Sequence, residues 1–160
     1  METPLGKVCL LGKENKLCGL WFVGQKHYPP KDESWQEDPY YPLFIKVDKW
    51  LKAYFNGDFQ NLDAELCPAG TKFQQQIWKK LIGIPRGKTT SYGKLFPSSA
   101  RAAGGAVGRN PISIIIPCHR VIGSDKSLTG YAGGLDRKKA LLELEGYKLE
   151  KITDSKFRVC

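Results

Sequence analysis

The break at Pro68-Ala69-Gly70 constrains this chain more than any other feature. Three turn-forming or small residues in a row separate two textures. Before the break, Gly6–Leu11 and Leu17–Phe22 are short apolar runs divided by the turn-like stretch Gly12–Lys16, which predicts a hairpin. Tyr28–Pro42 is rich in proline, acid and aromatics and reads as a loop. Leu43–Phe55 carries apolar residues at 43, 44, 47, 50, 51, 54 and 55, the spacing of an amphipathic helix ended by Gly57. Ala64–Cys67 reads as one more strand. After the break the pattern turns helical. Thr71 is placed to cap a helix carrying Phe73, Ile77, Trp78 and Leu81, and Pro85-Arg86-Gly87 makes a turn. Ser91 is placed to cap a short helix from Tyr92, and Ser98 or Ser99 another over Ala100–Gly108. Ile112–Ile116 reads as a buried strand between prolines. A last helix starts at Leu135 or Asp136 and stops at Gly146, and Tyr147–Cys160 reads as a polar tail. At 160 residues the chain suits one domain or two small ones sharing a core. The expectation is an α/β N-terminal part over 1–68, a small antiparallel sheet plus a helix. Over 69–160 it is a mainly helical part with a winged helix-turn-helix.

Charge follows the same division. Residues 1–80 hold 11 basic and 10 acidic side chains, and residues 81–160 hold 14 and 6. Between Arg86 and Arg120 there are six basic residues and no acid. A one-sided excess of this kind suits a polyanion, most simply nucleic acid. Within that stretch, Ala100–Gly108 holds one long side chain, Arg101, among alanines, glycines and one valine. Gly104 and Gly105 each cost a helix about 1 kcal/mol relative to alanine. Small residues let a backbone approach closely, either to another helix or to DNA. No apolar run reaches the roughly 18 residues a membrane helix needs, so no membrane is expected. Met1-Glu2-Thr3-Pro4 shows no basic-then-apolar leader, which points to the cytoplasm.

Five cysteines at irregular spacing suggest reduced thiols in a cytosolic compartment, not a disulfide framework. Cys9, Cys18, Cys67 and Cys160 read as small hydrophobes. Cys9, Cys18 and His27 fall one ligand short of a zinc site, so no metal is expected. Cys118 has a different context. It follows an apolar segment and Pro117 and is followed by His119 and Arg120. A thiol becomes a nucleophile when it ionises, aided by positive charge or a base. Adjacent side chains in a strand point to opposite faces, so Cys118 and His119 couple only through a turn or a water. A histidine base needs an orienting partner, for which Glu143 and Glu145 are both available.

Pro117-Cys118-His119-Arg120-Val121 lies between Gly108-Arg109-Asn110-Pro111 and Gly130-Tyr131-Ala132-Gly133-Gly134-Leu135. Together they resemble the O6-alkylguanine-DNA alkyltransferases, the methylated-DNA–protein-cysteine methyltransferases. The match extends in order from Phe73 through Ile84-Pro85-Arg86-Gly87, Thr90-Ser91-Tyr92-Gly93 and Ala100-Arg101-Ala102 to Leu142–Gly146. The N-terminal half fits more loosely, through Thr3–Gly6 and Leu20-Trp21-Phe22. The resemblance implies repair of double-stranded DNA by a single, irreversible transfer of the alkyl group of O6-alkylguanine, and of O4-methylthymine, to Cys118. His119 would deprotonate Cys118 through a water, Glu145 would hold the imidazole, and Asn110 would fix the cysteine loop. Tyr92 would rotate the nucleotide and it or a nearby donor would protonate guanine N3. Arg101 would fill the gap left by the flipped base, with Ala102, Gly104 and Arg109 also at the DNA. Tyr131, Ala132 and Gly133 would wall the base pocket, and Lys138 would support that loop. No cofactor is implied, and the protein is expected to act as a monomer. Two departures stand out. Tyr92 and Arg101 are nine positions apart, fewer than is typical of the family, and Ala132 stands where several relatives carry serine. A recognition-only binder would lack Cys118. A Cys–His hydrolase leaves the acid-free segment 86–120 unexplained, and a transcription factor leaves His119 beside Cys118 unexplained.

Overall fold

The computed structural model describes residues 1–160. Strands β1 (Val8–Lys13) and β2 (Lys16–Phe22) pair antiparallel across a two-residue turn. Both turn residues, Glu14 and Asn15, have positive φ, 51° and 60°, the tight hairpin geometry that matches strand twist. Helix α1 (Pro42–Phe55) opens on a proline, whose fixed φ suits the first helical position, and buries Leu43, Val47, Leu51 and Tyr54 as one stripe.

The N-terminal sheet gains two partners from distant segments. Ala64–Cys67 is not a full strand; it makes one parallel bridge, Leu17 to Leu66. That bridge sets Cys18 and Cys67 with Cα atoms 4.6 Å apart, and they form a disulfide. The expectation of reduced thiols is corrected here, because the pairing arises from a tertiary contact across 49 residues that spacing does not reveal. Cys9, half-buried, and Cys160, exposed, are free. The argument from reduced thiols to a reducing compartment loses its premise. On the same edge, away from β1, β2 also bridges Ile112, with Leu20 N–H donating to Pro111 O and Ser113 N–H to Leu20 O, each 2.9 Å.

Helix α2 (Lys72–Ile82) starts with a reciprocal box: Thr71 accepts from the Gln74 amide while the Gln74 side chain accepts from the Thr71 amide. It buries Ile77, Trp78 and Leu81, and the Trp78 indole donates to Ala106 O at 2.9 Å. Strand β3 (Thr90–Ser91) leads directly into α3 (Tyr92–Leu95), capped by Ser91, and α4 (Ala100–Gly108) is capped by Ser99. With four residues, α3 absorbs the short Tyr92–Arg101 interval as a one-turn first helix.

Ile112–Ile116 is a second correction. Only Ile112 bridges; the chain then turns, with Ile114 at φ 70° and the Ile116 amide donating back to Ile112 O at 3.0 Å. Positive φ at a β-branched residue costs about 1–3 kcal/mol and persists only where surroundings enforce it. A single 3₁₀ turn (Cys118–Arg120) follows, then β4 (Val121–Ile122), which pairs parallel with β3. Helix α5 (Leu135–Leu144) comes next. The expected polar tail is instead an antiparallel hairpin, β5 (Leu149–Thr153) and β6 (Lys156–Val159). Its Val159 packs with Ile122, Leu128 and Leu142 in a small second core. The main core crosses the 68–70 break: Leu20, Phe22, Leu51 and Tyr54 pack with Ile77, Trp78, Ile112, Ile116 and Cys118.

Candidate active site

Cys118 and His119 sit in the 3₁₀ turn, where successive side chains splay by about a third of a circle. This replaces the extended-strand geometry expected for them. The turn is held from upstream by Asn110. Its Nδ2 donates to Ile116 O at 2.7 Å and to Ile112 O at 3.4 Å, and its Oδ1 accepts from the Ile112 amide at 2.9 Å. Asn110 therefore closes the loop that delivers Cys118.

His119 is fully buried, and its Nε2 lies 2.8 Å from Glu145 Oε1. Glu145, just past α5, is also buried. Arg120 grips the same carboxylate from a second side, Nε to Oε2 at 2.9 Å and Nη2 to Oε1 at 2.8 Å, and its Nη1 donates to Ile84 O at 2.6 Å. Tyr54 of α1 donates its hydroxyl to Oε1 at 2.7 Å. Burial opposes ionisation of Glu145, but His119, Arg120 and Tyr54 override it and hold its pKa at about 2. An ionised carboxylate only accepts, so His119 Nε2 carries the proton and Nδ1 the lone pair. Nδ1 is buried with no partner within the protein. Burial also lowers the histidine pKa, with Arg120 and Lys138 acting the same way against the pull of Glu145. The imidazole is thus a neutral base with its free nitrogen unengaged. Burial raises the Cys118 thiol above its ordinary value, opposed by Asn110 and Lys138. The resting sulfur keeps its proton, and ionising it requires an acceptor.

A second group of contacts positions the walls. Tyr92 Oη donates to Thr129 O at 2.9 Å. Lys138, fully buried, donates to the same Thr129 carbonyl at 2.9 Å, to Gly130 O at 3.2 Å and to Val121 O. Its burial lowers its pKa to about 8. The β3–β4 pairing sets Tyr92 beside the strand that follows Cys118. The loop Tyr131–Gly134 is tied to the N-terminal part: the Lys26 amide donates to Ala132 O at 3.0 Å, and Arg137 links Gly133 O to Leu5 O. Gly133 is required by space, since a Cβ there would lie 2.7 Å from the Tyr131 ring. The Tyr131 hydroxyl is buried without a partner.

Along α4 and its C-terminal cap, Arg101, Ala102, Gly105 and Arg109 are exposed, and three of them follow the i, i+4, i+8 spacing of one helical face. Gly104 is half-buried and faces Tyr92, 3.7 Å from where its Cβ would stand. No cluster of histidine, cysteine and carboxylates is arranged to hold a metal.

The chain matches two family models, one after the other. Residues 1–68 match the 6-O-methylguanine DNA methyltransferase, ribonuclease-like domain, and residues 72–147 match the DNA binding domain of the same family. The methylated-DNA–protein-cysteine methyltransferase of Mycobacterium tuberculosis is 46% identical over 150 residues, covering 91% of this chain and 89% of that protein. The one from Methanosarcina acetivorans is 43% identical over 150 residues, covering 91% and 95%. A crystal structure of Mycobacterium tuberculosis OGT in complex with DNA superposes with a TM-score of 0.83 at 44% identity, covering 91% of this chain and 89% of that one. The chain belongs to the 6-O-methylguanine DNA methyltransferase family.

In this methyltransferase the structure brings Cys118, His119, Glu145 and Asn110 into one corner, with Tyr92, Tyr131 and Lys138 around it. The sequence left Glu143 and Glu145 both open as partners of the histidine. Glu143 instead pairs with Lys139 on the helix surface. Three residues of this arrangement lie outside the expected set. Tyr54 gave no local signal, because its contact spans 91 residues. In the sequence Arg120 reads as part of a basic run, and nothing local pairs it with Glu145. Gly105, four residues after Arg101, was findable from helical periodicity alone.

Proposed function

We propose that this methyltransferase repairs double-stranded DNA by moving the alkyl group of O6-alkylguanine onto Cys118, once per protein molecule. The reading is carried by the buried thiol next to a neutral histidine whose proton sits on the Glu145 side. The proton leaves Cys118 for His119 Nδ1 through a water, and the sulfur attacks the alkyl carbon. The S–C bond forms as the C–O6 bond breaks, and the electron pair stays on guanine, which takes a proton. A thioether has no ready leaving route, so the protein is consumed. The target carbon is hidden in the duplex, so the nucleotide must leave the stack at a cost of a few kcal/mol. Arg101 fills the gap, and the low bulk of α4 suits the minor groove, where readout is degenerate and repair at any sequence is possible. Tyr92 would have to release Thr129 O to donate to guanine N3. The basic segment 86–120 supplies phosphate attraction. O4-methylthymine is a second substrate by the same route. We further propose a monomer acting in the cytoplasm, where the DNA of the bacterial and archaeal relatives lies. No helix is long and apolar enough to cross a membrane.

The test is intact and peptide mass spectrometry after mixing the protein with a duplex carrying one O6-methylguanine. One methyl per protein on the Cys118 peptide, absent in Cys118→Ala, is the expected result. Tight lesion binding with no methyl gained would replace transfer by recognition alone.

A further inference from the structure

Glu145 is shared between the two parts of the chain. His119 and Arg120 reach it from the C-terminal part, and Tyr54 reaches it from α1 in the N-terminal part. Oε1 accepts from Tyr54, His119 and Arg120 together, at 2.7, 2.8 and 2.8 Å. Tyr54 is 3% exposed, stacked on Trp50 and edged by Phe55 and Phe59, so its hydroxyl has little freedom to point elsewhere. Burial and the adjacent Glu145 raise its own pKa far above the usual phenol range, so it remains a donor at any working pH.

We propose that Tyr54 is a positioning residue that sets how strongly His119 holds a proton, acting through Glu145 from the opposite part of the molecule. The reasoning is a competition for one oxygen. A hydrogen bond to the charged form of a carboxylate stabilises that charge and leaves less of it for the imidazole. The hydroxyl therefore keeps His119 less basic than a His–Glu pair alone would be. That suits a base that must be unprotonated before reaction. Around the group, Arg120 and Lys138 push the same way as Tyr54, and Glu145 pushes the other way. Arg86, from the turn after α2, stands over the Phe59 ring and acts on Tyr54, while Tyr147 lies within the field of Glu145 and Arg120. Cys118 and Tyr131 complete the surrounding titratable groups. Only Tyr54 reaches Glu145 from the N-terminal part by hydrogen bond. The ribonuclease-like part thereby tunes the proton acceptor and does more than brace it.

The inference rests on His119 being the base, and its test has a readout that does not need transfer. Histidine-labelled protein has only His27, exposed, and His119, buried, so NMR follows the His119 imidazole directly. In Tyr54→Phe, which keeps the ring packing, His119 titrates higher by about one pH unit, comparable to ordinary environmental shifts. The rising limb of the single-turnover transfer rate moves up with it. Replacing Tyr54 by difluorotyrosine, a stronger donor of nearly the same size, moves both the other way. An unmoved His119 in folded Tyr54→Phe, or shifts of one sign in both variants, overturns the proposal. Should Tyr54→Phe fail to fold, the direction of the difluorotyrosine shift decides alone. Should the native protein transfer no methyl while His119 still shifts, the reaction assignment fails and the control by Tyr54 stands.

Discussion

The corner around Cys118 and the exposed face of α4 are built on opposite plans. At the corner, one carboxylate is held by three side chains, and no member of the His119–Glu145 pair is exposed to solvent. On α4, a single long side chain stands among alanines and glycines with solvent on its outer side. The corner gains definition from many mutual contacts. The helix face carries almost nothing that could obstruct a close approach. Proton transfer needs reacting groups held to a fraction of an ångström, whereas a sequence-blind approach to DNA needs a backbone free of obstruction. Damage to the corner should therefore appear in both stability and chemistry, and damage to the helix face in DNA handling alone.

The sharpest break of that contrast is Glu145→Ala. It strands Arg120 and His119 in a buried site, and losing one partner of such a network costs about 3–5 kcal/mol. Transfer should fall at least about 100-fold, to duplex and to free O6-methylguanine base alike. Urea titration and single-turnover kinetics check both. The acid response carries the same message. Glu145, at about 2 in the folded state against an ordinary 4.5, stabilises the fold above its ordinary value, and this is lost as pH falls toward about 2. His119, below its ordinary 6.5 in the folded state, lets the unfolded chain take up the proton first, so stability already declines as pH drops below 6.5. Both slopes have one sign. Glu145→Ala should flatten the lower part of the curve. A variant as stable as the native protein would show that Glu145 is not the hub of the corner.

Arg101→Ala is the matching cut on the helix. The side chain is exposed, so stability should change by no more than about 0.5 kcal/mol. Transfer to duplex should fall by about 10–100-fold, corresponding to about 1–3 kcal/mol of lost support for the unstacked state. Transfer to the free base should be unchanged. Equal losses on both substrates would move Arg101 from nucleotide extrusion to the chemistry itself.

How legible each region was follows from how local its causes are. The caps at Thr71, Ser91 and Ser99 act within three residues; the first two are readable from the sequence, and the third is narrowed there to Ser98 or Ser99. The helices over 42–55 and 135–144 were readable from periodicity. Ile112–Ile116 was misread because four isoleucines favour a strand, while the turn at Ile114 is imposed by Asn110 and the Leu20 bridge. The Cys18–Cys67 disulfide, the Tyr54–Glu145 bond and the closing hairpin Leu149–Val159 depend on tertiary contact, and no local pattern encodes them. In the site, Cys118 and His119 announce themselves by adjacency, whereas the choice of Glu145 over Glu143 is made by where α5 ends.

The smallest expected effect separates the two plans most finely. Gly105→Ala places a methyl where no atom lies within 4 Å, on the stripe shared by Arg101 and Arg109. As a mid-helix glycine replaced by alanine, it should raise stability by up to about 1 kcal/mol. If the stripe is the surface that enters the groove, the same methyl holds the backbone off the DNA. Affinity for undamaged duplex should then fall several-fold while the fold grows firmer. Gly104→Ala supplies the control, because its methyl meets the Tyr92 ring at ordinary contact distance inside the protein. It should gain similar stability and lower DNA affinity less than Gly105→Ala does. Chemical denaturation and fluorescence anisotropy on both variants read the two quantities independently. Equal affinities for the two would mean that DNA does not approach along the Arg101–Gly105–Arg109 stripe, and the low bulk of α4 would then be explained by its packing against Tyr92 and Trp78 alone.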